Sequence, residues 1–374
     1  MRLQGPNSIG LPCLRYKISE AQLLDKGAHP RFSWTRRFTN MNIVGINEEG
    51  WRTPELKTIT LTQDVGVARI ATYQLHVREF IPIPGDSLVR SWHSKHGLRS
   101  HACTPYAIAD VDLASQTIVE FVDKHIGTFI EFYIDESDKL MRNTYVMAYR
   151  HSKMAERKEE RTLLRSVLRL WVASRMESKQ ERICGTEFLD MEAQYSDPDA
   201  SNYGNFLVPP VLQAQIELLT TASILLPEKD NILKGLENFM KPNQPKNWFT
   251  VYLTLFILLH SCSLLTQAEF KRAAREGFIG PNVSTLSRYC PVLENILTHF
   301  SKPRYHNSRL VEELHNGSRT LLAYFHFCNK GNLPFKMDWS NPTNVAFAQL
   351  DSDQVEFMKS TIMQIQKRGR LAHN

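Results

Sequence analysis

The chain has no paired cysteines. Its six, at positions 13, 103, 184, 262, 290 and 328, are scattered through 374 residues without one C-x-x-C. Neither a disulfide scaffold nor a complete zinc site can be read from that spacing, and reduced thiols of a cytosolic or nuclear protein are the expectation. The signatures of common catalysts are missing too: there is no G-x-S-x-G elbow, no phosphate-cradling glycine loop, no H-E-x-x-H and no dinucleotide fingerprint. The sequence therefore reads as a non-enzyme. The N-terminus shows no apolar h-region, which predicts no secretory signal, so the sequons at Asn282 and Asn316 are expected to stay unmodified. No run reaches the roughly twenty apolar residues that a membrane span needs. The longest, Trp248 to Leu265, is interrupted by His260 and several hydroxyls and predicts a central buried helix instead. Neither internal repeats nor low-complexity tracts occur.

What the chain does have is a local excess of positive charge. The first forty residues carry Arg2, Arg15, Lys17, Lys26, Arg31, Arg36 and Arg37 against only Glu20 and Asp25, whereas the whole chain is only +6. A basic block of this kind is either a solvated tail or a contact for a polyanion. With 42% hydrophobic and 10% aromatic residues, the rest has ample material for a core.

Residues 1–57, rich in Gly, Pro, Asn and basic side chains, show no sustained apolar period and predict an arm or linker. Residues 58–104 follow as an extended strap: the alternation around Thr58-Ile-Thr-Leu-Thr62 and over Ala71 to Phe80 predicts one or two short strands, and Pro82, Pro84 and Gly85 then break the chain. From 105 to 374 the pattern predicts a large helical domain. Ala107, Ile108, Val111, Ala114, Ile118, Phe121, Val122 and Ile126 recur at helical steps, as do Leu163, Leu164, Val167, Leu168 and Trp171 inside a charged helix from Lys153 to Glu181. Pro209 and Pro210 suit a helix start, Pro227 a stop, and further helices are expected over Asn231 to Phe239, Leu286 to Phe300, Leu310 to Lys330 and Asp353 to Lys367. The expected fold is mostly α.

One local cluster has metal-ligand chemistry: His93, His96, His101 and Cys103 are four borderline donors within eleven residues, but no second ligand pair accompanies them. His326 and Cys328, in an aromatic helical stretch, read as packed core groups.

Three stretches carry a family resemblance: Leu11-Pro-Cys-Leu-Arg-Tyr-Lys17, the run from Asn247 to His260, and Leu321 to Trp339. Together they resemble a fungal zinc binuclear cluster transcription factor of the six-cysteine class, chiefly the helical regulatory region after the DNA-binding module. The segments Lys57 to Asp64 and Val77 to Pro82 are similar to the stretch between cluster and helical region. The resemblance implies a nuclear regulator of transcription, possible control of a biosynthetic gene cluster, DNA and other transcriptional regulators as partners, no membrane association, and compatibility with a homodimer. It places Cys13 as the sixth ligand of a two-zinc cluster, and Arg15, Lys17, Arg31, Arg36 and Arg37 in the basic region that contacts DNA. The pattern then fails, because Met1 to Pro12 contains no cysteine. Zinc, implied by the family, is not supported by this chain as written: either the gene model is truncated or the DNA-binding module has been lost. The alternative reading is a non-DNA-binding helical interaction protein that modulates a partner regulator.

Overall fold

The computed structural model describes residues 18–20, 35–38, 45–63, 71–94, 97–195, 197–198, 203–242, 244–275 and 336–371. Its first regular elements are strands. β1 (Trp51–Thr62) and β2 (Thr72–Phe80) pair antiparallel with Ile59 opposite Leu75 and Leu61 opposite Tyr73. The β-branched and apolar alternation drives this, since Ile59, Leu61, Tyr73, Leu75 and Val77 all point into the core. The register slips between Trp51 and Leu56. Pro54 lies there, and a residue without an N–H cannot continue a ladder.

β3 (Val89–Ser94) and β4 (Gly97–Ala102) form a separate hairpin, and β5 (Tyr106–Ile108) adds to the outer edge of β2. The opposite edge is completed from far away in sequence: β6 (Arg182–Cys184) pairs with β1, and β7 (Phe206–Leu207) with β6. The five-stranded order is β5-β2-β1-β6-β7.

The helices are α1 (Val111–Tyr133), α2 (Lys139–Met154), α3 (Lys158–Ser178), α4 (Pro210–Thr220), α5 (Leu226–Met240), α6 (Trp248–Arg275), α7 (Pro342–Ala348) and α8 (Ser352–Leu371). Asp110 caps α1 by accepting from the Leu113 N–H at 2.9 Å, and Asp138 caps α2 by accepting from that of Met141 at 3.1 Å. Helix α3 is the hub, packing on α1, α2, α5 and α6. Along α6, Val251 to Leu255 and Ile257 to Leu259 are all buried except Phe256, which lies half-buried between them. A helix apolar nearly all round has only the interior to occupy. No helix among the described residues is long and apolar enough to cross a membrane.

Three expectations need correction. The fold is not a mostly helical body preceded by an arm and short extended segments: seven strands are present among the described residues, and the inward faces of β1 and β2 share one apolar core with the helices. The strand signal around Thr58 and Ala71 was local and legible, but β6 and β7 arise inside the stretch read as helical. Ala107 and Ile108 do not begin a helix; they lie in β5, and the Ile108 N–H donates to the Gln215 side chain at 2.8 Å. Pro227 does not stop its helix either. A five-residue π turn, Thr221–Leu225, joins α4 to α5, and Pro227 sits in the first turn of α5. A proline inside a helix loses one i→i−4 bond and crowds the carbonyl four residues back; the wider turn at 221–225, where that Ser223 carbonyl lies, accommodates both. The segments from Leu286 to Phe300 and from Leu310 to Lys330 lie outside the described residues.

Candidate functional site

Of the residues read as a DNA-contacting region, Arg15, Lys17 and Arg31 lie outside the described residues, as does Cys13. Arg36 is exposed, its aliphatic stem lying over Gly85, whose φ of +104° no other residue adopts easily. Arg37 is committed to the body. Its Nε donates to Asp86 Oδ2 at 2.9 Å, its terminal amine lies 2.8 Å from the same oxygen and donates to the Ile81 carbonyl at 2.7 Å, and its guanidinium covers the Phe80 ring at 4.9 Å. Next to it, Phe38 is buried with Trp51, Phe80, Ala107, Val211 and Leu218 in a second, smaller core.

In the histidine-rich hairpin, His96 and the side chain of His93 lie outside the described residues. His101 and Cys103 border a cavity of about 10 Å³ beside Arg90, Gln194 and Phe206. Burial pushes the Cys103 thiol up, with the Arg90 charge opposing, which disfavours the thiolate that metal binding needs. Arg90 is itself buried and donates through Nε to the Val208 carbonyl at 3.0 Å, and Trp92 Nε1 donates to Asp197 at 2.9 Å. These bonds fasten the hairpin to the body. No group of three or more His, Cys, Asp or Glu side chains among the described residues is placed to hold an ion. His326 and Cys328 lie outside the described residues.

A groove of about 370 Å³ lies between the open half of β2 and α1. Its rim carries Gln74, His76, Leu113, Glu120, Lys124 and His125. His76 Nδ1 lies 2.9 Å from Thr58 Oγ1; His125 is buried, and burial first and Lys124 second lower its pKa. Beneath the floor the Tyr73 hydroxyl donates to Glu181 at 2.5 Å, and burial, then Glu181, push its pKa well up. A second polar group lies in the helical layer, where the Tyr145 hydroxyl and His260 Nδ1 are 2.6 Å apart and the Tyr145 ring packs 4.7 Å from Trp171. Burial first and the Arg175 charge second hold His260 down at about 4. An activated nucleophile needs a base oriented by a third group. Among the described residues none of the three imidazoles, His76, His125 and His260, receives a hydrogen bond from, or gives one to, a carboxylate.

Sequence reading missed Trp171, Arg175 and Tyr133 as polar groups of interest. The signal was present: the stripe Leu163, Val167, Trp171 continues one turn on to Arg175, which puts a guanidinium where an apolar residue belongs.

The described residues thus form a sheet and helices packed on a large and a smaller core, with grooves and buried polar groups. The class of the protein comes from the comparisons. Residues 25–372 match the KpeA transcription factor family, nearly the whole chain, so the chain belongs to that family and is a transcriptional regulator. It is 30% identical over 168 residues to the satratoxin biosynthesis SC3 cluster transcription factor SAT20 of Stachybotrys chartarum (strain CBS 109288 / IBT 7711). That match covers 44% of this chain and 21% of the relative, so the chain aligns with about a fifth of the relative's length. No solved structure matches the chain.

Proposed function

We propose that this chain acts in the nucleus to set the transcription of a biosynthetic gene cluster, with the sheet and helical body as its regulatory part and the basic arm as its contact with DNA. The observation that carries the reading is the family match over residues 25–372. A relative named for a biosynthetic cluster supports the choice of target. Partner regulators, or a second copy of the chain, bring the body to its promoters. DNA contact falls to Arg15, Lys17, Arg31 and Arg36, since Arg37 is occupied by Asp86. Zinc has no part in the proposal. Phosphate contacts confer affinity and salt dependence but little sequence preference, so the isolated chain binds duplex DNA weakly and loses it steeply as salt rises.

Deleting the gene and profiling transcripts tests the reading, with a fluorescent fusion to follow location. A set of co-clustered genes should change together, and the fusion should enter nuclei. An unchanged transcriptome in cells that make the protein, with the fusion excluded from nuclei, would sink it. Tight, site-selective DNA binding by the isolated chain at physiological salt would overturn the division of labour.

A further inference from the structure

The helical layer contains a cation with no anion paired to it among the described residues. Arg175 lies in the last turn of α3, half-buried, with its guanidinium 4.7 Å from the centroid of the Tyr133 ring on α1. Its Nε is buried and has no acceptor. The other arginines of the helix are served: Arg161 donates to the carbonyls of Ala155 and Glu156, Arg165 pairs with Asp123, and Arg169 pairs with Asp123 and Glu228. One turn before Arg175, on the same face, Trp171 is fully buried and its Nε1–H also lacks an acceptor. The Tyr133 hydroxyl under the guanidinium is buried and equally without a partner. Three buried donors on adjoining side chains, one of them permanently charged, are thus left without an acceptor among the described residues.

Buried donors without acceptors are rare because each forfeits its hydration. An arginine cannot relieve the cost by losing its proton. The charge is felt by its neighbours: it is the second influence, after burial, that lowers His260, and it opposes the burial that raises Tyr145. A single kind of group would satisfy the cation and the neutral donors at once, namely a planar anion that accepts several hydrogen bonds, and a carboxylate matches the guanidinium fork best. The partly buried ring of Tyr133, under the guanidinium, adds an aromatic surface for a carbon skeleton.

We propose that Arg175, Trp171 and Tyr133 form a binding site for a small organic acid, with its carboxylate on the Arg175 guanidinium, the Trp171 Nε1–H and Tyr133 O–H as further donors, and its apolar part against the Tyr133 ring. The site stands on side-chain geometry and not on the gene-cluster reading, and its test is independent of transcription.

Purified full chain is melted, and titrated by tryptophan fluorescence, with sodium benzoate, acetate, phosphate or chloride at constant ionic strength. Benzoate should raise the melting temperature saturably and more than acetate does. Arg175→Gln should abolish the effect while leaving the unliganded protein as stable as the parent or more so, because it removes an uncompensated cation. Trp171→Phe keeps the ring stack and removes one donor, so it should weaken benzoate about threefold to tenfold. No saturable response to either carboxylate would overturn the site. So would an equal response in Arg175→Gln. If phosphate or chloride acts as strongly as benzoate, the organic-acid assignment fails. If Arg175→Gln does not fold, Trp171→Phe decides: unchanged benzoate affinity in that variant overturns the proposal.

Discussion

Replacing Arg37 by Ala should destabilise the protein by about 3 kcal/mol, although sequence reading places this residue among those that touch DNA. The Asp86 side chain is fully buried and Arg37 is only 13% exposed. Asp86 also accepts from Thr35 Oγ1 at 2.8 Å and from the Ile83 N–H at 2.9 Å, so it ties the 35–38 segment to the turn before β3. Removing the guanidinium leaves a carboxylate out of water with two neutral donors and takes the cover from Phe80. Breaking a buried pair from one side costs about 3–5 kcal/mol, and the lower figure suits a cation that keeps some solvent. Asp86→Ala should cost a similar amount. The double variant should cost less than the sum by about 2 kcal/mol, since neither partner is then stranded. Arg36→Ala, at an exposed side chain, should stay within about 0.5 kcal/mol of the parent. Urea unfolding followed by circular dichroism at two salt concentrations measures all four. Parent-like stability in Arg37→Ala, or single costs that simply add, would refute the clamp and return Arg37 to the DNA-facing set.

Leu258→Ala, at a position 1% exposed on α6, should cost about 2–5 kcal/mol through lost transfer energy and the cavity left behind; a thermal melt matching the parent would contradict the central placement of that helix. Because His260 sits at about 4 when folded against the ordinary 6.5, the unfolded chain takes up its proton first as the pH falls. Stability should therefore be complete above about pH 6.5 and be lost progressively toward pH 4, with His260→Gln showing a flatter acid limb. The lowered His125 and His151 act in the same sense and remain in that variant; urea midpoints that do not fall with pH, or that fall equally in both proteins, would refute the assignment. Gly235→Ala sets helix propensity, worth about 1 kcal/mol in favour, against a new Cβ 2.9 Å from the Leu163 side chain, which is packed at 3% exposure. Overpacking costs about 1–3 kcal/mol, so net destabilisation is expected, and a variant more stable than the parent would show that Leu163 yields freely.

The parts that sequence reading recovers are those with one physical solution. A run as apolar as Val251 to Leu259 in α6 has nowhere to go but the interior, and the stripe Ala114, Ile118, Phe121, Val122 and Ile126 can be buried together only as one face of a helix. The two long strands were readable for the same reason, because Ile59 and Leu61 alternate with Thr58, Thr60 and Thr62 over enough residues to show a period of two. β6 and β7 were not. Three residues, Arg182-Ile-Cys184, hold one buried side chain and carry no period, and they are strand only because β1 has an edge to pair there, some 120 residues away in the chain. Ala107 and Ile108 mislead for a related reason. They lie three and four residues ahead of Val111, so they extend a helical stripe on paper, yet an edge of β2 and the Gln215 side chain offer their backbone better partners.

Arg37 and Arg175 show how the same residue type reads differently once its surroundings are known. Both look like surface cations in a basic stretch or a charged helix. Arg37 met a buried carboxylate from a turn 49 residues later, an encounter no local pattern announces. Arg175 met none. Its place could have been read from α3 alone, since a stripe of Leu163, Val167 and Trp171 that ends in a guanidinium is a break in amphipathic order. Such a break means either a buried partner or a ligand, and in α3 Asp123 and Glu228 are already taken by Arg165 and Arg169. Among the described residues no carboxylate is paired with Arg175, which is why a small acid is the first thing to offer it.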